Sequence, residues 1–269
     1  MGSSHPFNVH SFIAPGLGDH PDSQTISVWM KNAQATSPTP PLDDFWFFSV
    51  VYGHRKFISR GNYLSKHRSR QGKVAGLKWN ENYFQVSPYL ETQENQGFCG
   101  IASIAASLNS LQQINKPFAA DYWPYRFFTQ SGLFTPQSSK VKAKHLVSAS
   151  GLTLEQMQSF LKALDIKASV YFGNDLTEDL LRNLLKSALA NGNHRLIVDF
   201  SRESLKQEGH GHFSPVVAYD NTSDSVLVLD VAKFKYPPFW VKTSDLLASL
   251  KTIDSDSGKS RGIVQITVE

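Results

Sequence analysis

The apolar pattern of this chain predicts an α+β protein, with helices dominating the first half and antiparallel strands the second. Two observations carry that expectation. Between residues 99 and 190, apolar side chains recur at the three- and four-residue spacing of helices. After Gly192 they fall instead into short runs rich in Val, Ile, Leu and Phe, separated by turn residues.

Taken in order, residues 6–43 are rich in Pro, Gly, Ser and Thr and end in Ser37-Pro-Thr-Pro-Pro41, which reads as an extended leader with one short helical turn over Ser27–Ala33. Met1–His5 are set aside from fold reasoning. Asp44–Tyr52, with Phe45, Trp46, Phe47 and Phe48, is an apolar run that fits a strand or a buried helix equally well. A helix follows Cys99, with Ile101, Ile104, Leu108 and Leu111 on its stripe and Ala and Ser between them, a composition suited to tight burial. Thr153-Leu-Glu-Gln156 is a capping box, leading into Met157, Phe160, Leu161 and Leu164. Ala168–Phe172 reads as a strand and Thr177–Ala190 as an amphipathic helix carrying Leu180, Leu181, Leu184 and Leu185. Leu196–Phe200, His212–Tyr219, Val226–Val231 and Gly262–Val268 are the β-rich runs, with a hairpin loop over Asp220–Asp224. The expected organisation is a leader over 1–43 and one catalytic domain over 44–269, helical from about 80 to 190 and β-rich from about 192 to 269.

Composition narrows the function. The chain has 269 residues, 41% hydrophobic and 19% charged, which is globular rather than disordered. No apolar run approaches the ~20 residues of a membrane-spanning helix, so no membrane partner is expected. The net charge of +4 is concentrated between Tyr52 and Lys78, where eight Lys and Arg meet no acid. Only Phe57 and Tyr63 interleave there as stacking groups and no binding motif is present, so a solvated segment is preferred to a nucleic-acid site. A single cysteine argues against a disulfide scaffold and favours the cytoplasm, with an extracytoplasmic location left open. The Phe45–Val51 run suits an interface as readily as a core, which admits a homodimer.

That cysteine, Cys99, lies in Gln93-Glu-Asn-Gln-Gly-Phe-Cys99-Gly100, at a predicted helix start. A lone thiol builds neither an internal disulfide nor a thiolate cage, so any chemistry it has is nucleophilic. A helix N-terminus favours the thiolate, and Gly100 lets a substrate backbone approach. His212, in Gly209-His-Gly-His-Phe-Ser-Pro215, is the candidate acid and base, and Asp230 the group that orients it from an adjacent strand. Gln93, six residues before Cys99, would share an oxyanion hole with the Cys99 N–H; this spacing recurs in papain-like enzymes. A metal site at His210 and His212 lacks a third ligand nearby, and none is assigned.

Three stretches resemble the phytochelatin synthases, papain-like thiol transferases: Glu91-Thr-Gln-Glu-Asn-Gln-Gly-Phe-Cys99-Gly-Ile-Ala-Ser, Gly211-His-Phe-Ser-Pro-Val, and Leu229-Asp-Val-Ala-Lys-Phe-Lys-Tyr-Pro-Pro-Phe-Trp240-Val. The resemblance covers roughly residues 80–268. It implies a papain-like fold, with a helical N-terminal and a β-sheet C-terminal lobe, and glutathione as substrate. Cys99 would attack the Cys–Gly carbonyl and release glycine, and the γ-Glu-Cys acyl group would pass to water or to a second glutathione. The same resemblance makes Cys99, His212, Asp230 and Gln93 catalytic, and Asp254, Arg261, Tyr236, Lys233, Thr92 and Gly100 substrate-binding. Asp254 and Arg261 would meet the α-amine and α-carboxylate of γ-Glu, with Asp256 or Lys259 as substitutes.

Two departures qualify the match. Plant members have Arg where this chain has Lys233, a point charge rather than a fork. They also continue into a cysteine-rich region, whereas this chain resembles the short bacterial type, for which hydrolysis is expected to compete with transfer. No tightly bound cofactor is expected; Cd or Zn would arrive as a metal–glutathione thiolate. The alternatives are a general papain-like peptidase and a non-catalytic metal or thiol-peptide binder.

Overall fold

Strands that are apolar along their whole length, rather than at every second residue, need cover on both faces, and this protein supplies it. The computed structural model describes residues 77–269. The leader, the turn at Ser27–Ala33, the Phe45–Val51 run and nearly all of the basic segment lie outside the described residues.

Six strands form one sheet: β1 (Lys167–Phe172), β2 (His194–Ser201), β3 (Gly211–Asp220), β4 (Ser225–Val228), β5 (Phe239–Lys242) and β6 (Gly262–Thr267). Their order is β1-β6-β2-β3-β4-β5, and every neighbouring pair is antiparallel. Among the described residues seven α-helices accompany them: α1 (Glu81–Val86), α2 (Cys99–Asn109), α3 (Ser138–Val141), α4 (Lys144–Ser150), α5 (Leu154–Lys162), α6 (Glu178–Leu189) and α7 (Thr243–Leu250). The architecture is therefore α+β with an antiparallel sheet. None of these helices is long and apolar enough to cross a membrane.

The helices divide between the two faces. On one face α2 and α5 bury Ile101, Ile104, Leu108, Met157, Phe160 and Leu161 against Ile197, Phe213, Val264 and Ile266. On the other, Leu181, Leu185, Leu189, Leu246 and Leu250 of α6 and α7 cover Leu196, Val198, Phe200, Val228 and Ile263. Successive residues of β2 thus point into different cores, and all six interior positions of that strand are buried.

Local signals explain most boundaries. The capping box at Thr153 forms in full: the Gln156 N–H donates to Thr153 Oγ1 at 3.2 Å, and the Thr153 N–H donates to Gln156 Oε1 at 3.0 Å. Thr177 caps α6 through the Leu180 N–H. Leu180 itself, expected on the apolar stripe, is 51% exposed, whereas its neighbour Leu181 is fully buried. Helix α2 has every residue buried, and its Ala, Ser and Gly content lets it lie close to β3. It starts where it does because Gly97 meets the end of α4: a Cβ there would sit 2.2 Å from the Val147 carbonyl oxygen.

The β4 run is shorter than its composition suggests. The register slips between Val216 and Ala218, and pairing ends at Val228. The chain nonetheless continues beside β3, with the Leu229 N–H donating to the Pro215 carbonyl at 2.9 Å. That continuation carries Asp230 to the level of His212.

Candidate active site

Cys99 is the first residue of α2, with Phe98 before it as the N-cap. Its sulfur therefore sits at the positive end of an 11-residue helix. Burial pushes the thiol pKa up, and the nearby Asp199 charge adds to that. The hydrogen bond and positive charge of His212, with the Phe213 N–H, outweigh both and hold the thiol below its ordinary value. His212 moves the opposite way: burial favours the neutral ring, but hydrogen bonds to Asp230 and Cys99, and their charges, raise its pKa. The two groups stabilise each other as a thiolate–imidazolium pair.

His212 Nε2 lies 2.9 Å from Asp230 Oδ1, which leaves Nδ1 as the ring nitrogen for sulfur. The edge of the ring meets Phe200 at 5.6 Å between centroids and 82° between planes, which limits its rotation. Asp230 is fully buried. Burial pushes its carboxyl up, but the bond from His212, the charges of His212 and Arg202, and the Ala232 N–H keep it below the usual carboxylate range.

Cys99 opens onto a cavity of about 320 Å³. Gln96 and Gly97 lie beside it, residues 148–152 form one wall, and Asp199, His210, Gly211 and Phe213 form another. Asp254, Asp256 and Arg261 complete the lining. Arg261 Nη1 is 3.0 Å from Asp199 Oδ1 and 3.7 Å from Asp254 Oδ1. Burial pushes Asp199 up to about 7, with Arg261 opposing the shift. The guanidinium passes over Gly211 so closely that a Cβ there would lie 2.1 Å from Nη1, so glycine is the residue that fits.

Of the residues singled out from sequence, Cys99, Asp254, Asp256 and Arg261 line this cavity, with His212 bonded to Cys99 and Asp230 bonded to His212. The others do not line it. Gly100 turns its Cα toward Met157, Leu152 and Phe213, so its missing side chain serves core packing, and the glycines at the cavity are Gly97, Gly151 and Gly211. The Lys233 ammonium donates to the Leu90 carbonyl at 2.8 Å. Thr92 is exposed, and its carbonyl accepts from Gln130 Nε2 at 3.0 Å. Tyr236 lies behind Asp230, its ring over the Arg202 guanidinium at 4.8 Å and its hydroxyl accepting the Glu208 N–H.

Gln93 is buried beside the loop before α2. Its Nε2 donates to the carbonyls of Asn95 and Gln96 at 2.7 and 3.1 Å, which occupies both amide hydrogens, and its Oε1 has no hydrogen-bond partner among the described residues. An oxyanion role therefore requires one of those two bonds to be given up.

Asp199 and Arg202 were missed in the sequence. Asp199 is the only charge inside Leu196–Phe200, and a charge in a buried run is itself a signal, since such residues are rarely buried without a partner. Arg202 had no comparable signal, because Ser201-Arg-Glu-Ser204 reads as a polar turn. Among the described residues no group of three or more His, Cys, Asp or Glu is arranged to hold a metal.

Comparison with known proteins gives a consistent result. The family model described as phytochelatin synthase matches residues 65–263. A glutathione gamma-glutamylcysteinyltransferase of Arabidopsis thaliana is 32% identical over 70% of this chain and 40% of its own length. Another from Lotus japonicus is 29% identical over 86% of this chain and 41% of its own. One from Schizosaccharomyces pombe is 31% identical over 68% and 43%. The chain thus spans about two fifths of the length of these relatives.

Proposed function

The chain belongs to the phytochelatin synthase family, and from that premise we propose that it is a papain-like thiol acyltransferase that cleaves the Cys–Gly bond of glutathione. The observation that carries this reading is the composition of one cavity. Its lining carries the thiol that His212 pairs with and a guanidinium flanked by two carboxylates. Glutathione presents the matching groups: an α-ammonium and α-carboxylate on γ-Glu, and the scissile amide carbonyl on the next residue, Cys.

In this mechanism Arg261 takes the γ-Glu carboxylate, and Asp254 with Asp199 receives the ammonium. The Cys99 thiolate adds to the Cys–Gly carbonyl carbon, with N–H groups of the first turn of α2 facing the developing oxyanion. The C–N bond then breaks, His212 transfers its proton to the departing glycine amine, and a γ-Glu-Cys thioester remains on Cys99. Water or the amine of a second glutathione next attacks the thioester. His212 takes the proton, the C–S bond breaks, and the thiolate returns. Proton transfer by a positioned imidazole contributes about 10²–10⁴-fold, and each well-placed oxyanion donor about 10²–10³-fold. Metal enters as a Cd– or Zn–glutathione thiolate, hence as substrate.

Incubation with glutathione, with and without Cd²⁺ or Zn²⁺, tests the proposal. Glycine release with γ-Glu-Cys or phytochelatin as co-product is expected, and Cys99→Ser abolishes it. No glycine under any condition, or unchanged release by Cys99→Ser, overturns the reading. Equal cleavage of unrelated peptides points instead to a general peptidase.

A further inference from the structure

Asp230 is fully buried, and an isolated carboxylate in such a place takes up a proton rather than stay charged. Its Oδ1 accepts from His212 Nε2 at 2.9 Å, the Ala232 N–H at 2.8 Å and Arg202 Nη2 at 3.0 Å, and Nη2 also lies 2.8 Å from Oδ2. Of these partners His212 is an intermittent charge, since it must give up its proton to a leaving amine in every turnover. The guanidinium does not deprotonate, so it is the counter-charge that persists when the ring is neutral.

Arg202 is built for a fixed position. It is 3% exposed and follows β2 directly. Its Nη1 donates to Gln207 Oε1 at 2.7 Å, and its guanidinium lies 4.8 Å from the Tyr236 ring and 5.6 Å from that of Phe200. Its backbone N–H donates to the His210 carbonyl at 2.9 Å, which ties it to the strand that carries His212. It does not line the cavity at Cys99.

We propose that Arg202 is a positioning residue of the reaction: it keeps Asp230 ionised and aimed at His212 throughout the cycle, and thereby sustains the thiolate on Cys99. This rests on the thiol-transferase reading of the site. The other charged or titratable groups facing this array are Cys99 and Asp199 on the cavity side of His212, and Tyr236 with Lys235 on the outer side of Arg202. Lys235 is the one further cation among them. A Cβ at Gly209 would lie 3.2 Å from its ammonium and 3.2 Å from Arg202 Cδ.

The single cysteine makes the test direct. The rate of alkylation by iodoacetamide is followed against pH for the full chain, without substrate. Wild type, Arg202→Met, Arg202→Lys, Asp230→Asn and the double variant Arg202→Met/Asp230→Asn are compared, alongside the pH profile of glycine release. The wild-type thiol is expected to react with a midpoint below the ~8.5 of a free thiol. In Arg202→Met the Asp230 carboxyl loses a charge that holds it low, and its pKa rises. Between its old and new values it is neutral, His212 loses its partner, and both the thiol midpoint and the acid limb of glycine release move to higher pH. Arg202→Lys restores part of the shift. The double variant matches Asp230→Asn alone, because Arg202 acts through Asp230. A folded Arg202→Met with the wild-type profile overturns the proposal, as does a double variant that differs from Asp230→Asn. The double variant removes both buried charges together, so it decides the matter if Arg202→Met does not fold. A wild-type profile like that of a free thiol overturns the thiol-transferase reading itself.

Discussion

Asp199 is the residue whose charge is held at greatest cost in the cavity. Desolvation outweighs the attraction of Arg261 3.0 Å away and pushes the Asp199 carboxyl up to about 7. A pKa raised on folding adds stability that is intact below the unfolded value and lost as pH rises through the folded one. Asp199 therefore destabilises the fold most above pH 7. The stability difference between Asp199→Asn and wild type is expected to move in the variant's favour between pH 5 and pH 8, by a few kcal/mol at most. The KM for glutathione is expected to rise, because the ammonium loses one of its two acids. Parallel melting curves at the two pH values would show that the charge carries no such cost. The residues of the cavity were unequally legible. Cys99, His212 and Asp230 stand out because a solitary thiol, and a histidine and an aspartate in turn-bounded strands, are unusual in sequence. Asp199 was obscured by its apolar neighbours. Gln93 shows a further limit: spacing put its amide near the thiol, but which carbonyls its hydrogens satisfy depends on the path of the backbone from Asn95 to Gly97.

Helix α2 is the element on which the site depends, and its position is set by close backbone approach. Gly97 lies against the last turn of α4, where a Cβ would stand 2.2 Å from one carbonyl oxygen and 2.6 Å from the next. Both are backbone atoms and cannot swing aside. Gly97→Ala is expected to displace the start of α2, costing about 1–3 kcal/mol and roughly 10²-fold in glycine release. A melting curve with the steady-state rate checks it, and unchanged activity would mean that the thiol is not positioned by this contact. Long amphipathic helices and capped starts were readable, as α5 and α6 show. The short elements α1, α3, α4, β5 and α7 were not. Each is 4 to 8 residues long, too short for a periodic signal. Phe239–Lys242 and Thr243–Leu250 form a strand and a helix because the sheet edge and the α6 face are there to receive them.

Across the whole molecule, Arg195 is the clearest integrator. It is 2% exposed on β2, yet it reaches Gln85 and Asn82 of α1 and the hydroxyl and carbonyl of Ser110 after α2. Arg195→Met would leave several of these acceptors buried and unpaired, at about 1–3 kcal/mol each. A fall in Tm on the order of 10 °C is expected, with the pH profile of thiol alkylation unchanged because Arg195 lies outside the cavity. A smaller fall would show that water or neighbouring groups replace it. At this scale the sequence by itself determined the α+β composition, the helix bearing the thiol and the chemical types available to a triad, because periodicity, capping and residue chemistry are local properties. Tertiary structure alone decided that one sheet is covered on both faces, that Asp199 joins Arg261 at the cavity, and that Arg202 stands behind Asp230. Those outcomes follow from strand order and register, which bring together residues 28 to 62 positions apart in the chain, and from a competition between desolvation and pairing that exists only once the groups are buried.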